Sequence, residues 1–230
     1  NEARKPFVFS NAVGTHRDVE TLLHEAGHAF HSLACIDEPL LTYRHAPIEF
    51  CEVASMGMEL LGSPFYSVFY DDADSHRARA EQLEGVIYIL TWIATIDVFQ
   101  HWLYKHPGHS RNERNEAWLQ IHNRFDGGLF DWSGLDIEHA NAWQKQLHIY
   151  TCPLYYIEYA IAQIGALQLW ANAKRDQDSA VDAFRKGLSL GGSRPLPELF
   201  GTAGLKFDFS AGTITQLVDM LLKELEKLRD

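Results

Sequence analysis

The sequence contains the pentapeptide His24-Glu25-Ala26-Gly27-His28, whose residue types and spacing are suited to binding and using a metal ion. Two histidines four residues apart on a helix project from the same face, so both imidazoles can ligate one ion. The intervening glutamate lies beside the metal, where it can act as a general base toward metal-bound water. The alternative is that both histidines are polar residues on an exposed helix face and that the glutamate is solvated.

A catalytic zinc site of this kind needs a third protein ligand and keeps a further position for water. The candidates are one histidine on the same helix and three glutamates on the next predicted helix: His31, Glu49, Glu52 and Glu59. A ligand from a second helix completes a tetrahedron more easily than His31, because the metal lies over the turn between the two histidines. We expect Glu52 to be the ligand and Glu59 to orient a ligand histidine. The alternative for these glutamates is a solvated acidic face.

Both sets of candidates fall on segments with helical patterns. After Gly14 and Thr15, apolar residues recur at helical spacing to about Cys35. A second helix is predicted over residues 48–61 and ends near Gly62-Ser63-Pro64. This second helix is apolar nearly all round, which is typical of a buried helix. A buried position favours ligand and supporting roles for its glutamates over a solvated face.

The rest of the chain is also mainly helical in pattern. Helices are predicted over residues 75–104, 112–125, 136–174 with a break near Cys152-Pro153, 178–190 and 214–228. Residues 6–11, which read PFVFSN, are predicted to form a short strand that is either a substrate-pairing edge or an edge of the core. The sequence therefore predicts a mainly α protein that forms one compact unit.

The composition argues against several classes of partner. Twenty Lys and Arg against 31 Asp and Glu give a formal net charge of −11, which disfavours nucleic acid. No apolar run approaches the roughly 18 residues of a membrane span, and the first residues lack the apolar core of a signal peptide. The three cysteines form no CxxC pair, as is usual in a reducing compartment. We therefore expect a cytoplasmic protein without nucleic-acid or membrane partners.

A histidine and several tyrosines crowd into one short segment late in the chain, namely His148, Tyr150, Tyr155, Tyr156 and Tyr159. Hydrolysis of an amide over a metal ion develops negative charge on the former carbonyl oxygen, and a phenol or imidazolium donor can stabilise it. The alternative is aromatic core with one hydroxyl satisfied. A cysteine–histidine nucleophile made of Cys152 and His148 is a further alternative, although no third orienting group is evident.

The segments HEAGHAFH and PIEFCEVASMGMELL together resemble the oligoendopeptidase F and thimet oligopeptidase family of zinc peptidases. The similarity extends to PFVFSNAVGTHRDVETLLHE, HIYTCPLYYIEYA and LGGSRP, covers almost the whole chain and is closest to the bacterial oligoendopeptidase F branch. The resemblance implies that His24, His28 and Glu52 hold one Zn²⁺ per chain and that Glu25 is catalytic. The thimet branch has proline at the position of Ala54, a departure beside the ligand glutamate.

The resemblance further implies a helical zincin-type catalytic domain over residues 1–230, as the C-terminal portion of a longer chain. Its substrates would be short peptides cut internally. His148 and Tyr159, with Tyr155 or Tyr156, would bind the substrate carbonyl. The alternatives are a truncated, non-catalytic fragment that binds zinc or peptide, and an HExxH exopeptidase. Retention of His24, Glu25, His28 and Glu52 favours an enzyme, because a structural zinc site fills its fourth position with a protein ligand.

Overall fold

The computed structural model describes residues 5–229, whose regular structure is helical throughout. The α-helices follow in the order α1 (His16–Ala34), α2 (Ile48–Gly62), α3 (Asp72–Lys105), α4 (Arg111–Asp126), α5 (Asp136–Asn141), α6 (His148–Thr151), α7 (Ile157–Arg175), α8 (Gln177–Ser189), α9 (Leu196–Thr202) and α10 (Ala211–Arg229). Short 3₁₀ helices occupy Leu41–Arg44, Ser63–Val68 and Ala142–Lys145. The prediction of a mainly α protein is confirmed.

The strand predicted over residues 6–11 does not form. These residues have no regular structure, and Phe7 and Phe9 are 87% and 83% exposed. Apolar alternation produces a strand only where a neighbouring strand can hydrogen-bond to it, and the described part of the chain contains no other strand. The aromatic pattern of this segment therefore does not mark a sheet edge.

Helix α1 begins where local hydrogen bonding fixes it. The Asp18 carboxylate accepts hydrogen bonds from the backbone N–H groups of Val13, Gly14 and Thr15 at 3.0, 2.6 and 2.8 Å. These bonds, chiefly the one from Thr15, hold the pKa of Asp18 below its usual value. Gly14 has a φ of +83°, a conformation that glycine adopts without strain. The turn before α1 is thus locked, and the register of the helix that carries the two histidines is fixed from its first residue.

The chain folds into two compact units, whereas the sequence predicts one. The first unit combines the chain up to Glu84 with the chain from Ile161 onward, and the second is Gly85–Ala160. Helix α3 runs through the first boundary and α7 through the other. Because the helical pattern is continuous at both boundaries, no change in sequence periodicity marks them.

The first unit has an apolar core to which four helices contribute. Buried side chains come from α2, α7, α8 and α9, among them Phe50, Leu169, Phe184 and Phe200. In the same unit the buried Glu224 carboxylate on α10 lies 2.5 Å from Lys174 Nζ on α7. Burial of α2 in this core is what places its glutamates in the interior rather than in solvent.

The second unit has an aromatic core. Trp92, Phe99, Trp118 and Trp143 pack together with Tyr156 at its edge. The polar edges of two indoles are satisfied: Trp118 Nε1 donates to the His139 carbonyl at 2.8 Å and Trp92 Nε1 to the Gln146 side chain at 2.9 Å. Tryptophans that are both packed and hydrogen-bonded give this unit a rigid interior.

Helix α3 is long and apolar enough to cross a membrane, judged by length and composition alone. Its most apolar window has a mean hydropathy of 1.3, and 44% of that window is buried inside the protein. The core helix of a water-soluble domain has the same length and composition, so these properties do not distinguish the two environments.

Candidate metal centre and aromatic cluster

Helices α1 and α2 touch through their backbones at Gly27. A β-carbon added at Gly27 would overlap the carbonyl of Ala54 and the Cα of Ser55. Only glycine permits so close an approach, because every other residue would push the two helices apart. The contact lies between the two histidines of α1 and next to Glu52 of α2. It therefore brings the two predicted ligand sets face to face.

The side chains of His24, His28 and Glu52 converge at this contact. Glu52 Oε2 lies 3.4 Å from His24 Nε2 and 3.9 Å from His28 Nε2. One ligand atom from each of the three residues falls within 4.8 Å of the others, and residues 5–229 contain no second group of three potential ligands. Two imidazoles and one carboxylate form the donor set of many catalytic zinc sites, so the residues present fit a zinc ion.

Neighbouring side chains hold two of these three residues in place. The Ser55 hydroxyl donates to Glu52 Oε2 at 2.9 Å, and both residues are buried. His24 Nδ1 lies 2.6 Å from Glu59 Oε1, which leaves His24 Nε2 directed at Glu52. A carboxylate on the far nitrogen of a ligand histidine fixes the tautomer and the ring orientation. Glu59 thus lies where the sequence predicts a supporting acceptor.

The two histidines differ in their electrostatic environment. Burial opposes protonation of His24, yet the hydrogen bond to Glu59 and the charges of Glu59, Glu52 and Glu25 raise its pKa above the usual value. Burial lowers the pKa of His28, the charge of His24 adds to this effect, and the charges of Glu52, Glu25 and Glu59 oppose it without a direct hydrogen bond. The carboxylates around His24 make it the more basic imidazole, which is the effect expected of a supporting acceptor.

The remaining candidates on α1 and α2 lie in different surroundings. Glu25 is partly buried and has no hydrogen bond or ion pair within the described chain, although its charge acts on both histidines. His31 is buried against Phe50, its Nε2 has no hydrogen-bond partner among the described residues, and burial lowers its pKa to about 4. Neither His31 nor Glu49 belongs to the group of converging ligand atoms.

The four residues predicted to bind the substrate carbonyl form one aromatic cluster in the second unit. The His148 ring lies 6.2, 4.9 and 5.7 Å from the rings of Tyr155, Tyr156 and Tyr159, measured between centroids. His148 Nδ1 is 2.6 Å from Gln146 Nε2, an amide that also contacts Trp92 through its oxygen. His148 is therefore anchored to the aromatic core of its own unit.

The tyrosines of this cluster are not equivalent. Tyr156 is buried, and burial raises the pKa of its phenol to about 12, whereas Tyr155 and Tyr159 are partly exposed. The chain reaches them through Leu154, which has a φ of +61° in the left-handed region. A leucine in this conformation is strained, and tertiary packing must hold it. The cluster thus depends on a strained turn that helical periodicity does not predict.

Two supporting residues were not predicted from the sequence. Ser55 lies three residues after Glu52 on the same helix face, so the spacing could have identified it as a partner. Gln146 precedes the helix that carries His148, and no sequence pattern links it to Trp92. Cys152 is exposed at the end of α6 and has a free thiol, and the described chain places no orienting group beside it.

Comparison with protein families identifies the chain. The family model described as peptidase family M3 matches residues 1–218. The chain belongs to peptidase family M3. This membership confirms the family resemblance inferred from the HEAGHAFH and PIEFCEVASMGMELL segments.

Individual M3 relatives agree with this assignment. The chain is 23% identical to the oligoendopeptidase F homolog of Borreliella burgdorferi, covering 98% of this chain and 38% of that protein. A solved structure of PZ peptidase A with an inhibitor has a TM-score of 0.88 and 32% identity, over 98% of this chain and 40% of that one. A solved structure assigned as an oligoendopeptidase F has a TM-score of 0.86 and 33% identity, again over 98% of this chain and 40% of that one. The chain thus spans about two fifths of the length of these similar proteins.

Proposed function

We propose that this chain is the zinc-binding catalytic region of a metalloendopeptidase that hydrolyses internal bonds of short peptides. The observation that carries the proposal is the convergence of His24, His28 and Glu52 at one point, with Glu25 next to them on the same helix. Peptidases of family M3 are typically zinc metallopeptidases. The names of the similar proteins, an oligoendopeptidase F homolog and PZ peptidase A, support a peptide substrate.

The residues that would hold the metal are His24, His28 and Glu52. A zinc ion in such a site supplies Lewis acidity, which activates water and polarises the substrate carbonyl. Ser55 and Glu59 orient two of the three ligands through hydrogen bonds of 2.9 and 2.6 Å. These supporting contacts allow the ligands to keep their geometry through a reaction cycle.

Glu25 is the general base of the proposed reaction. Its carboxylate has no hydrogen bond or ion pair within residues 5–229, so it is available to accept a proton from the attacking water. The same carboxyl group then delivers the proton to the leaving nitrogen. His148 and a tyrosine, Tyr159 by preference, donate hydrogen bonds to the carbonyl oxygen as it gains negative charge. Tyr159 is preferred over Tyr156 because the Tyr156 phenol is buried.

A second candidate function is binding of zinc and peptide without turnover, since the converging side chains of His24, His28 and Glu52 can hold a metal ion whether or not hydrolysis follows. The two candidates differ in one measurable property. An endopeptidase region turns over peptide when zinc is present, whereas a binding fragment retains the metal and releases no product.

The experiment uses an internally quenched peptide that is blocked at both ends, since end-blocking excludes cleavage by an exopeptidase. We expect chelator-sensitive cleavage by the wild type and a loss of about 10²- to 10⁴-fold in kcat for Glu25→Gln, with zinc content unchanged. Glu49→Gln is the matched control, because Glu49 lies outside the converging group on α2 and should leave kcat unaltered. Full activity of Glu25→Gln would contradict the mechanism, and zinc binding without cleavage would favour the binding fragment.

A further inference from the structure

The second unit contains a cavity of about 360 Å³ that shares no residue with the group His24, His28 and Glu52 or with the cluster of His148, Tyr155, Tyr156 and Tyr159. Its lining includes the buried side chains of Gln100, Trp143 and Ile149 and the exposed rings of Tyr104 and Tyr150. We call it the Arg114 cavity, after the charged residue in its lining. Its volume lies in the range of pockets that bind small organic molecules.

Three residues that line the Arg114 cavity carry buried polar atoms that have no hydrogen-bond partner among residues 5–229. These atoms are both side-chain amide atoms of Gln100, the indole nitrogen of Trp143 and the Nε of Arg114. Gln100 is 1% exposed and Trp143 6% exposed. Buried polar groups are nearly always satisfied, so three side chains with unsatisfied atoms around one cavity point to a polar ligand there.

The charge of the lining indicates the sign of that ligand. The Arg114 guanidinium lies 5.3 Å from the centre of the Trp143 ring and forms no ion pair with any described residue. No carboxylate lines the cavity, although the whole chain carries a net charge of −11. His109 also lines the cavity. Its Nδ1 lies 2.5 Å from the His106 carbonyl, which leaves Nε2 as its remaining polar atom. An arginine without an ion pair, in a cavity whose lining has no acid, is suited to bind a carboxylate.

The aromatic lining indicates what accompanies the carboxylate. Trp143 and Tyr150 stack at 5.9 Å between centroids, and together they present a flat apolar surface to the cavity. A neighbouring cavity of about 490 Å³ shares His109 but is lined by Glu113 and Glu116, so an anion is repelled there. Only the Arg114 cavity of these two therefore combines a cation with aromatic surface and no acid.

We propose that the Arg114 cavity binds a small carboxylate whose carboxyl group adjoins an aromatic or branched apolar body. The guanidinium of Arg114 pairs with the carboxylate, the Gln100 amide and the Trp143 N–H supply hydrogen bonds, and the apolar body lies against Trp143 and Tyr150. Such a group occurs both in single small acids and at the free C-terminus of a peptide. We call His24, His28 and Glu52 the metal group. The cavity does not depend on the proposed peptidase activity, because none of its lining residues belongs to this group.

The test measures calorimetric binding of N-acetyl-L-phenylalanine and of its uncharged C-terminal amide to the full chain, with a chelator present to prevent binding at zinc. We expect the acid to bind at least about tenfold more tightly than the amide, as for loss of a charge-assisted hydrogen bond. The tripeptide Ala-Ala-Phe distinguishes the two sources: affinity equal to that of the acid indicates a peptide C-terminus, and weaker affinity indicates a single small acid.

Two variants assign the binding to this cavity. Arg114→Met should weaken binding of the acid about tenfold and leave that of the amide unchanged. Lys145→Met is the matched control, because Lys145 Nζ lies 4.2 Å from the centre of the Trp92 ring, in the same unit but outside the cavity. The affinity of this variant for the acid should equal that of the wild type. Equal binding of acid and amide by the wild type, no binding up to about 10 mM, or full affinity in Arg114→Met would each overturn the proposal.

Discussion

The metal group and the aromatic cluster achieve precise geometry by different means. His24 and His28 share a face because of helical spacing, and one backbone contact at Gly27 brings Glu52 to them. The aromatic cluster instead follows a turn with a left-handed leucine, and the packing of neighbouring rings decides which tyrosine remains accessible. Positions set by periodicity can be predicted to the residue, whereas positions set by packing around an irregular turn cannot.

The largest effect is expected from substitution of Glu52, whose carboxylate on α2 lies beside the two histidines of α1. Glu52→Ala removes a proposed zinc ligand, so zinc affinity measured by chelator competition should fall more than about a hundredfold, beyond the range for supporting residues. His31→Ala is the control on α1, because His31 lies outside the converging group. The zinc affinity of this variant should stay close to that of the wild type. A loss in His31→Ala alone, with Glu52→Ala close to wild type, would transfer the third-ligand role to His31.

Substitutions in the aromatic cluster should lower kcat and leave zinc affinity unchanged. Tyr159→Phe removes one hydroxyl while keeping the ring, and we expect kcat to fall about a hundredfold, as for loss of an oxyanion donor. Tyr156→Phe is the matched control within the same cluster, because the Tyr156 phenol is buried, and it should retain most of its kcat. The reverse ranking, with Tyr156→Phe the more damaging, would mean that burial does not decide which tyrosine acts.

A smaller effect is expected from the residue behind the ligand histidine. Glu59→Gln keeps the shape of the side chain but weakens its 2.6 Å contact with His24 Nδ1. Zinc affinity should decrease about tenfold to hundredfold, the usual cost of losing an outer hydrogen bond to a ligand. Glu49→Gln on the same helix supplies the baseline. Unchanged affinity in Glu59→Gln would show that the metal alone orients His24.

The smallest effect concerns folding of the two-helix contact. Gly27→Ala places a methyl group against the backbone of α2, so the free energy of unfolding should decrease by about 2 kcal/mol in urea denaturation. Gly85→Ala makes the same substitution in α3, where nothing lies within 4 Å of the added carbon. That control should gain about 0.5–1 kcal/mol from helix propensity. Two variants of equal stability would argue against a close approach at Gly27.

Much of the helical architecture follows from the sequence. The helix predicted over residues 48–61 is Ile48–Gly62, and the one predicted over residues 112–125 is Arg111–Asp126. Glycines, prolines and apolar spacing mark these ends locally. The sequence also predicts Glu59 beside a ligand histidine, because its spacing from Glu52 on a buried helix leaves few other roles, and it lies 2.6 Å from His24.

The features that the sequence does not reveal all depend on distant residues. The PFVFSN segment has a strand pattern without a partner strand in the described chain, and the two units are joined through continuous helices. Gln146 reaches both Trp92 and His148 through packing of the second unit. No local signal encodes such contacts, so periodicity and turn residues cannot anticipate them.

Anomalous X-ray diffraction at the zinc edge from crystals of this chain is the most direct test of the central claim. The account predicts one strong peak about 2.0–2.2 Å from a ring nitrogen of His24, a ring nitrogen of His28 and a carboxylate oxygen of Glu52. Absence of a peak at these three residues in zinc-soaked crystals, or a peak on His31 instead, would contradict it.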